Sequence, residues 1–184
     1  MTTKGYPSST SVYPGEELDF YLSSDPPITE PVTLEIEYVC GTSFESFSYY
    51  LKLEEGIPFQ PEPPKESSPW ATGFNWEKVC SFIIPADGQS GFYQVKHGDE
   101  KVINFVVKQI HPGSVSKIVF QYAMNTAQAY NTAGGKCVYE SVRDRAYKVS
   151  FNRPGALIDP PDLAISKKPD LFFMQWLRSN KIAV

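Results

Sequence analysis

Short segments in which apolar and polar residues alternate dominate the first 110 residues of the chain. Leu18, Phe20 and Leu22 alternate with polar neighbours, and residues 32–38 repeat the alternation cleanly. A period of two residues is typical of a strand with one buried face. Similar strand-like segments follow at 47–53, 79–84, 92–97 and 102–107, separated by proline and glycine rather than by helical stretches. The pattern predicts a mainly β chain that begins with an antiparallel β-sandwich. The residues expected in its core are Phe20, Leu34, Ile36, Val95 and Phe105.

The segment 56–68 interrupts this rhythm because it contains four prolines, which exclude a helix and a central strand alike. Trp70, Phe74 and Trp76 follow it directly. These aromatic residues either fold back onto the sandwich or form the exposed rim of a binding site.

The composition changes after a hinge-like His111–Gly113. Residues 117–123 form a continuous apolar run that predicts a strand buried on both faces, and a polar loop follows at 125–136. A further strand is predicted at 146–151, a helix from Pro169–Asp170 onward, and a last strand at 181–184. We therefore expect a β-sandwich domain over residues 1–112 and an incomplete α/β segment over residues 113–184.

Charge and composition exclude several functional classes. The chain has 184 residues and a formal net charge of −4, which does not favour binding to nucleic acid or to an anionic membrane. No apolar run approaches the ~20 residues of a membrane-spanning helix. The N-terminal residues have no apolar region of a secretory signal, so we expect a cytoplasmic protein. The three cysteines are expected to be free thiols.

Common catalytic motifs are absent from the sequence. It has no nucleophile elbow, no phosphate-binding glycine loop and no His-Glu-x-x-His pair. Only two histidines, His97 and His111, are present, so a histidine-rich metal site cannot be built from this chain. The residues by themselves therefore leave the chemistry open.

Two segments carry a family resemblance: VFQYAMNTAQAYNTAGGKCVY at 119–139 and RAYKVSFNRP at 145–154. Together they resemble the large subunit of N,N-dimethylformamidase and its relatives. The resemblance extends to FFMQWLRSNKIAV at 172–184 and to GYPSSTSVYPGEELDFYLSS at 5–24, which is similar to the opening of the β-sandwich that precedes the family's catalytic domain. It implies a hydrolase that cleaves the C–N bond of a small amide.

The resemblance also implies a mononuclear iron held by two tyrosines and a glutamate. A hard trivalent cation favours phenolate oxygen, so this ligand set is chemically coherent. The motif assigns Tyr130 as one ligand. Tyr147 is the first choice for the second ligand and Tyr139 the alternative, although each ring could also pack inside the protein and use its hydroxyl only for hydrogen bonding.

Four further residues of the motif are candidates for catalytic work: Asn125, Gln128, Asn131 and Lys136. The amides could orient the substrate or a phenolate, or they could instead close the turn on themselves. Gly134 and Gly135 are expected to adopt positive φ or to permit a close backbone approach. Arg145 and Arg153 are expected to pair with carboxylates.

This chain departs from the family in two respects. Ala127 and Ala133 stand where relatives usually carry an aromatic residue, which puts the identity of the substrate in doubt. The family's glutamate lies in a Gly-His-x-Glu-Tyr-Trp motif that these 184 residues do not contain.

The missing glutamate leads us to expect that a second polypeptide, or a second copy of this chain, completes the α/β domain. The aromatic face of the predicted C-terminal helix should then be open to this partner. The alternative is a non-catalytic β-sandwich that binds a small ligand or a protein.

Overall fold

Two β-sheets make up the first 107 residues of the protein, whose computed structural model describes residues 2–139, 144–156 and 169–184. The three-stranded sheet has the order β1-β3-β6 and is antiparallel. The five-stranded sheet has the order β2-β8-β7-β4-β5, in which only the β2–β8 pair is parallel. The strands are β1 Thr2–Pro7, β2 Ser11–Val12, β3 Glu17–Asp25, β4 Val32–Gly41, β5 Ser48–Leu53, β6 Cys80–Ile83, β7 Gly91–His97 and β8 Glu100–Val107.

The hydrophobic core lies between the two sheets and contains residues from both. All five predicted core residues are fully buried: Phe20, Leu34, Ile36, Val95 and Phe105. The ring of Phe20 on β3 faces that of Phe105 on β8 at 6.2 Å between centroids, so the contact crosses from one sheet to the other. The mainly β, antiparallel fold predicted from the alternation is therefore confirmed. Each strand-like segment of the first 107 residues corresponds to an observed strand.

The proline-rich segment packs against the sandwich. It leads through a short 3-10 helix at Lys65–Ser67 into α1 (Pro69–Thr72). Phe74 and Trp76 are buried, and their rings lie 5.3 Å apart. Trp76 donates its backbone N–H to the Tyr6 hydroxyl at 3.0 Å and its indole N–H to the Pro61 carbonyl at 2.9 Å. Of the two interpretations of this segment, folding back onto the sandwich therefore holds for Phe74 and Trp76, while Trp70 is half-buried.

The second part of the chain corrects several predictions. Residues 117–123 are not a buried strand but irregular backbone, and the Val119 side chain is 83% exposed. Neither 146–151 nor 181–184 forms a strand. Strands need hydrogen-bonding neighbours, and no strand of the described residues pairs with these segments. The division at residue 112 stays a prediction.

Residues 113–139, 144–156 and 169–184, the described portion of this part, contain two helices. The segment predicted as a loop begins with α2 (Met124–Tyr130), a correction explained by the helix formers Met124, Ala127, Gln128 and Ala129 within it. The predicted C-terminal helix is confirmed as α3 (Pro169–Ser179). Met174 and Leu177 of α3 are buried, and Met174 packs with Cys40 of β4 and Phe92 of β7.

The three cysteines, Cys40, Cys80 and Cys137, are free thiols, as predicted. Burial raises the pKa of Cys40 to about 11 and that of Cys80 to about 12. No helix in the described part of the chain is both long and apolar enough to cross a bilayer.

Candidate functional site

The tyrosine pair, Tyr130 and Tyr139, lies at the end of α2. Tyr130 is the last residue of this helix, and its ring stacks on that of Tyr139 with 4.3 Å between centroids and 20° between planes. The backbone N–H of Val138 donates to the Ala129 carbonyl at 2.9 Å, so the residues that precede the two tyrosines are hydrogen-bonded. Both side chains are 60% exposed. Among the described residues neither phenol hydroxyl has a hydrogen-bond partner, so both hydroxyls of this stacked pair are open to solvent.

Tyr147 lies apart from this pair. Its side chain is 84% exposed, and the Arg145 guanidinium lies over its ring at 5.2 Å from the centroid. The structure therefore brings Tyr130 together with Tyr139, the alternative second ligand, and no ring contact joins Tyr130 to Tyr147 within the described residues.

The amide side chains of the motif occupy different environments. Asn125 is exposed on the first turn of α2. Gln128 and Asn131 are buried, and Asn131 donates to the Pro154 carbonyl at 2.9 Å while its Oδ1 accepts the Ala133 N–H at 3.0 Å. These hydrogen bonds close the turn, which is the second of the two roles that the sequence left open for the amide side chains. Their assignment to catalysis stays a prediction.

The Lys136 side chain contacts an acidic side chain and an aromatic ring. Its Nζ forms an ion pair with Asp144 at 2.9 Å and lies 5.2 Å from the ring centroid of Trp70. The hydrogen bond from Lys136 lowers the pKa of the Asp144 carboxyl below its ordinary value. Its catalytic assignment likewise stays a prediction.

Gly134 and Gly135 adopt positive φ, 85° and 98°, as predicted. At Gly134 a side chain is excluded for a second reason, because a Cβ would lie 2.7 Å from the backbone nitrogen of Trp70. Ala133 packs next to Phe74 and Trp76. The turn that follows Tyr130 is thus seated on the aromatic cluster of the sandwich.

Arg153 lies at the centre of this turn and is 1% exposed. Its guanidinium donates to backbone carbonyls rather than to the carboxylate expected from the sequence. The acceptors are the carbonyls of Ser150 (2.8 Å), Asn131 (3.1 Å), Ala133 (3.0 Å), Lys136 (3.4 Å) and Gln128 (2.9 Å). Burial lowers the pKa of Arg153 to about 10, since desolvation disfavours the charged form. Sequence reasoning missed this role, because nothing local distinguishes an arginine that binds carbonyls from one that pairs with an acid.

An open cleft of about 630 Å³ lies elsewhere, between α3 and the outer face of the five-stranded sheet. Its charged side chains bond within the protein: Lys96 forms an ion pair with Glu37 at 2.6 Å, and Arg178 donates to the Val39 carbonyl and to the Ser46 hydroxyl. The tyrosine pair, with its open hydroxyls, is therefore the better candidate for chemistry.

Comparison with protein families shows to which family the chain belongs. Residues 51–184, well over half of the chain, match the family described as N,N-dimethylformamidase beta subunit-like, C-terminal. The chain belongs to this family. The resemblance seen in the sequence is thus confirmed for the dimethylformamidase family as a whole, while the assignment to its large subunit stays a prediction.

Other comparisons add little to the family assignment. No curated protein matches the chain. Among solved structures, Pseudomonas fluorescens alkylpurine DNA glycosylase AlkC bound to DNA containing an abasic site analog is similar with a TM-score of 0.33 and 16% identity. The match covers 58% of this chain and 30% of that chain, and a likeness of this size carries no inference.

The family resemblance implies two tyrosine ligands for an iron ion. The phenols of Tyr130 and Tyr139 are hard oxygen donors on stacked, accessible rings, so their chemistry fits a ferric ion. The described residues contain no group of three or more His, Cys, Asp or Glu side chains able to hold a metal ion.

Proposed function

We propose that this chain is part of an iron-dependent amide hydrolase that acts on a small amide, with Tyr130 and Tyr139 as two of the iron ligands. The observation that carries the proposal is the stacking of these rings at 4.3 Å, at the end of the family's most specific motif. Membership of the dimethylformamidase family supports amide hydrolysis as the reaction.

In this proposal each residue has a defined task. Tyr130 and Tyr139 supply phenolate oxygens, which a ferric ion favours over the neutral phenol. A bound ferric ion supplies Lewis acidity, which polarises an amide carbonyl and lowers the pKa of a bound water. Asn131 keeps the turn closed by donating to the Pro154 carbonyl at 2.9 Å and to the Gln128 Oε1 at 3.4 Å.

A ferric titration tests the proposal directly. Phenolate bound to ferric iron absorbs visible light by charge transfer, so we expect a coloured complex that saturates as Fe³⁺ is added to the protein. Zn²⁺ is the matched control, because its filled d shell gives no such band. Hydrolysis of a small amide, with N,N-dimethylformamide as the first substrate to test, is the expected activity once the partner that supplies the carboxylate is also present. A colourless protein after iron addition would contradict the proposed ligands.

We further propose that a second polypeptide, either a separate subunit or a second copy of this chain, covers α3 and contributes the carboxylate ligand. Support comes from an apolar face that α3 leaves in solvent. Phe172, Phe173 and Trp176 are each about half exposed, and Phe173 contacts Phe120 at 5.5 Å and Trp176 at 5.8 Å between ring centroids. Full burial of one such side chain is worth about 1.5–3 kcal/mol, so covering this face stabilises a complex.

The substitution Trp176→Glu is expected to weaken this association, since a charge replaces an apolar ring at the centre of the face. Light scattering on a sizing column is the measurement, and Tyr50→Glu, at an exposed position on β5, is the control. A separate subunit would appear with the wild-type chain in native mass spectrometry of material from the natural source, and purified Trp176→Glu chain should not capture that subunit where purified wild-type chain does. Lone monomers under both conditions would refute the partner.

The alternative of a non-catalytic binding module loses its main support. That interpretation relied on exposed aromatic residues after the proline-rich segment, whereas Phe74 and Trp76 are buried.

A further inference from the structure

We propose that Arg153 is the positioning residue of the tyrosine pair, which it holds without touching either ring. The relevance of this role to catalysis rests on the proposed function, but the hydrogen bonds that support it do not involve iron. The segment that contains Arg153 is bound to the sandwich, and its guanidinium holds the turn between Tyr130 and Tyr139 in place.

The first step is the attachment of the Arg153 segment to the sandwich. Ser150 donates its backbone N–H to the Trp70 carbonyl at 2.7 Å, and Phe74 donates its backbone N–H to the Asn152 carbonyl at 2.8 Å. Phe74 is itself buried next to Trp76 and Tyr6. The backbone before Arg153 is therefore fixed to the aromatic cluster of the sandwich on two sides.

The second step is the reach of the side chain. The guanidinium donates to the carbonyls of Gln128 and Asn131, which flank Tyr130 in the sequence, and to those of Ala133 and Lys136 in the turn that follows. The last carbonyls of a helix have no partner inside the helix, and a cation that binds them also matches the negative end of the helix. The Arg153 guanidinium therefore binds carbonyls both at the C-terminal end of α2 and in the turn that follows it.

The third step connects the turn to the second tyrosine. Ala129 follows Gln128, whose carbonyl Arg153 binds, and it accepts the Val138 N–H at 2.9 Å; Tyr139 is the next residue after Val138. Both tyrosines thus depend on a backbone that Arg153 organises. Lysine cannot substitute, since a single ammonium lacks the planar fork that reaches several carbonyls at once.

A cross-linking experiment tests the inference without iron. Ruthenium-sensitised photo-oxidation with persulfate as the electron acceptor removes one electron and one proton from each of two neighbouring phenols, which join by a C–C bond as dityrosine, and peptide mass spectrometry identifies the Tyr130–Tyr139 product. We expect the wild-type protein to give this product and Arg153→Lys to give about tenfold less, as loss of charge-assisted hydrogen bonds predicts. Arg145→Lys, an exposed arginine of the same segment, is the matched control and should behave as wild type.

Chemical rescue separates positioning from general stability. Arg153→Ala leaves a carbonyl-lined space of the shape of guanidinium, so guanidinium chloride, added below the concentration that unfolds the sandwich, should restore part of the dityrosine yield. Sodium chloride should not. Loss of the cooperative unfolding transition in both Arg153 variants would make Arg153 a general stability residue and would overturn the inference.

The remaining outcomes are also decisive. A wild-type protein that forms no Tyr130–Tyr139 product, or variants that form as much as wild type, would refute the positioning role. If the product depends on Arg153 but iron gives no colour, the proposed function fails and the positioning role stands. If iron gives colour in wild type and in Arg153→Lys alike, the positioning role fails and the proposed function stands.

Discussion

Phe105→Ala is expected to lower the free energy of unfolding by about 3–5 kcal/mol, as is typical when a buried phenylalanine is truncated. Phe105 is fully buried on β8, where its ring faces Phe20 of the other sheet at 6.2 Å and stacks on Tyr93 of the neighbouring strand at 5.4 Å. Truncation therefore removes contacts both between and within the sheets and leaves a cavity. Domains are typically stable by only 5–15 kcal/mol, so this is a large share of the total.

Thermal and denaturant unfolding measure this effect. For a chain of this length the expected loss corresponds to a Tm lower by roughly 6–20 °C. Phe59→Ala is the matched control, because Phe59 is half exposed, and its effect should stay within about 0.5 kcal/mol. Equal losses at the two positions would mean that the two sheets do not share the core described here.

Tyr130→Phe and Tyr139→Phe are each expected to abolish the ferric charge-transfer band, whereas Tyr147→Phe should leave it unchanged. Each of the first two changes removes one phenol oxygen but keeps the ring, so the 4.3 Å stacking survives. The free energy of unfolding should change by no more than about 0.5 kcal/mol, because both side chains are exposed and neither hydroxyl has a hydrogen-bond partner among the described residues. Tyr147 lies apart from the pair, with its ring under Arg145.

The three Tyr→Phe variants are compared by visible absorption during iron titration, and circular dichroism serves as the folding control. The comparison decides between the two candidates for the second ligand. Loss of the band in Tyr147→Phe together with its persistence in Tyr139→Phe would restore the assignment made from the motif and reject the pair seen in the structure.

The β-sandwich could be predicted from the sequence because the alternation of apolar and polar residues is a property of short segments. In residues 32–38 the alternation alone defines which side chains face the core, and Leu34 and Ile36 are indeed fully buried. The amphipathic spacing of the C-terminal helix and the positive φ of Gly134 and Gly135 are local in the same sense. Such features require only the preferences of neighbouring residues.

The candidate site could be predicted from the sequence only in part. The motif identified Tyr130, but its partner depends on how the backbone turns between α2 and Tyr139, and the sequence left Tyr147 as the first choice. Residues 117–123 carry strand-forming side chains, yet Val119 is exposed because no strand of the described residues lies beside them. A strand exists only if a partner supplies its hydrogen bonds, and this information is not local.

The sequence alone thus determined the mainly β sandwich, its core and the family, since alternation, turn residues and a specific motif are properties of short segments. Tertiary structure decided which tyrosine stacks on Tyr130 and what Arg153 does. The physical reason lies in the carbonyls around Arg153, which come from residues 128–136 and 150 and meet only when the turn is seated on the sandwich. A buried cation takes the acceptors that folding brings to it, and no pattern in the sequence names them in advance.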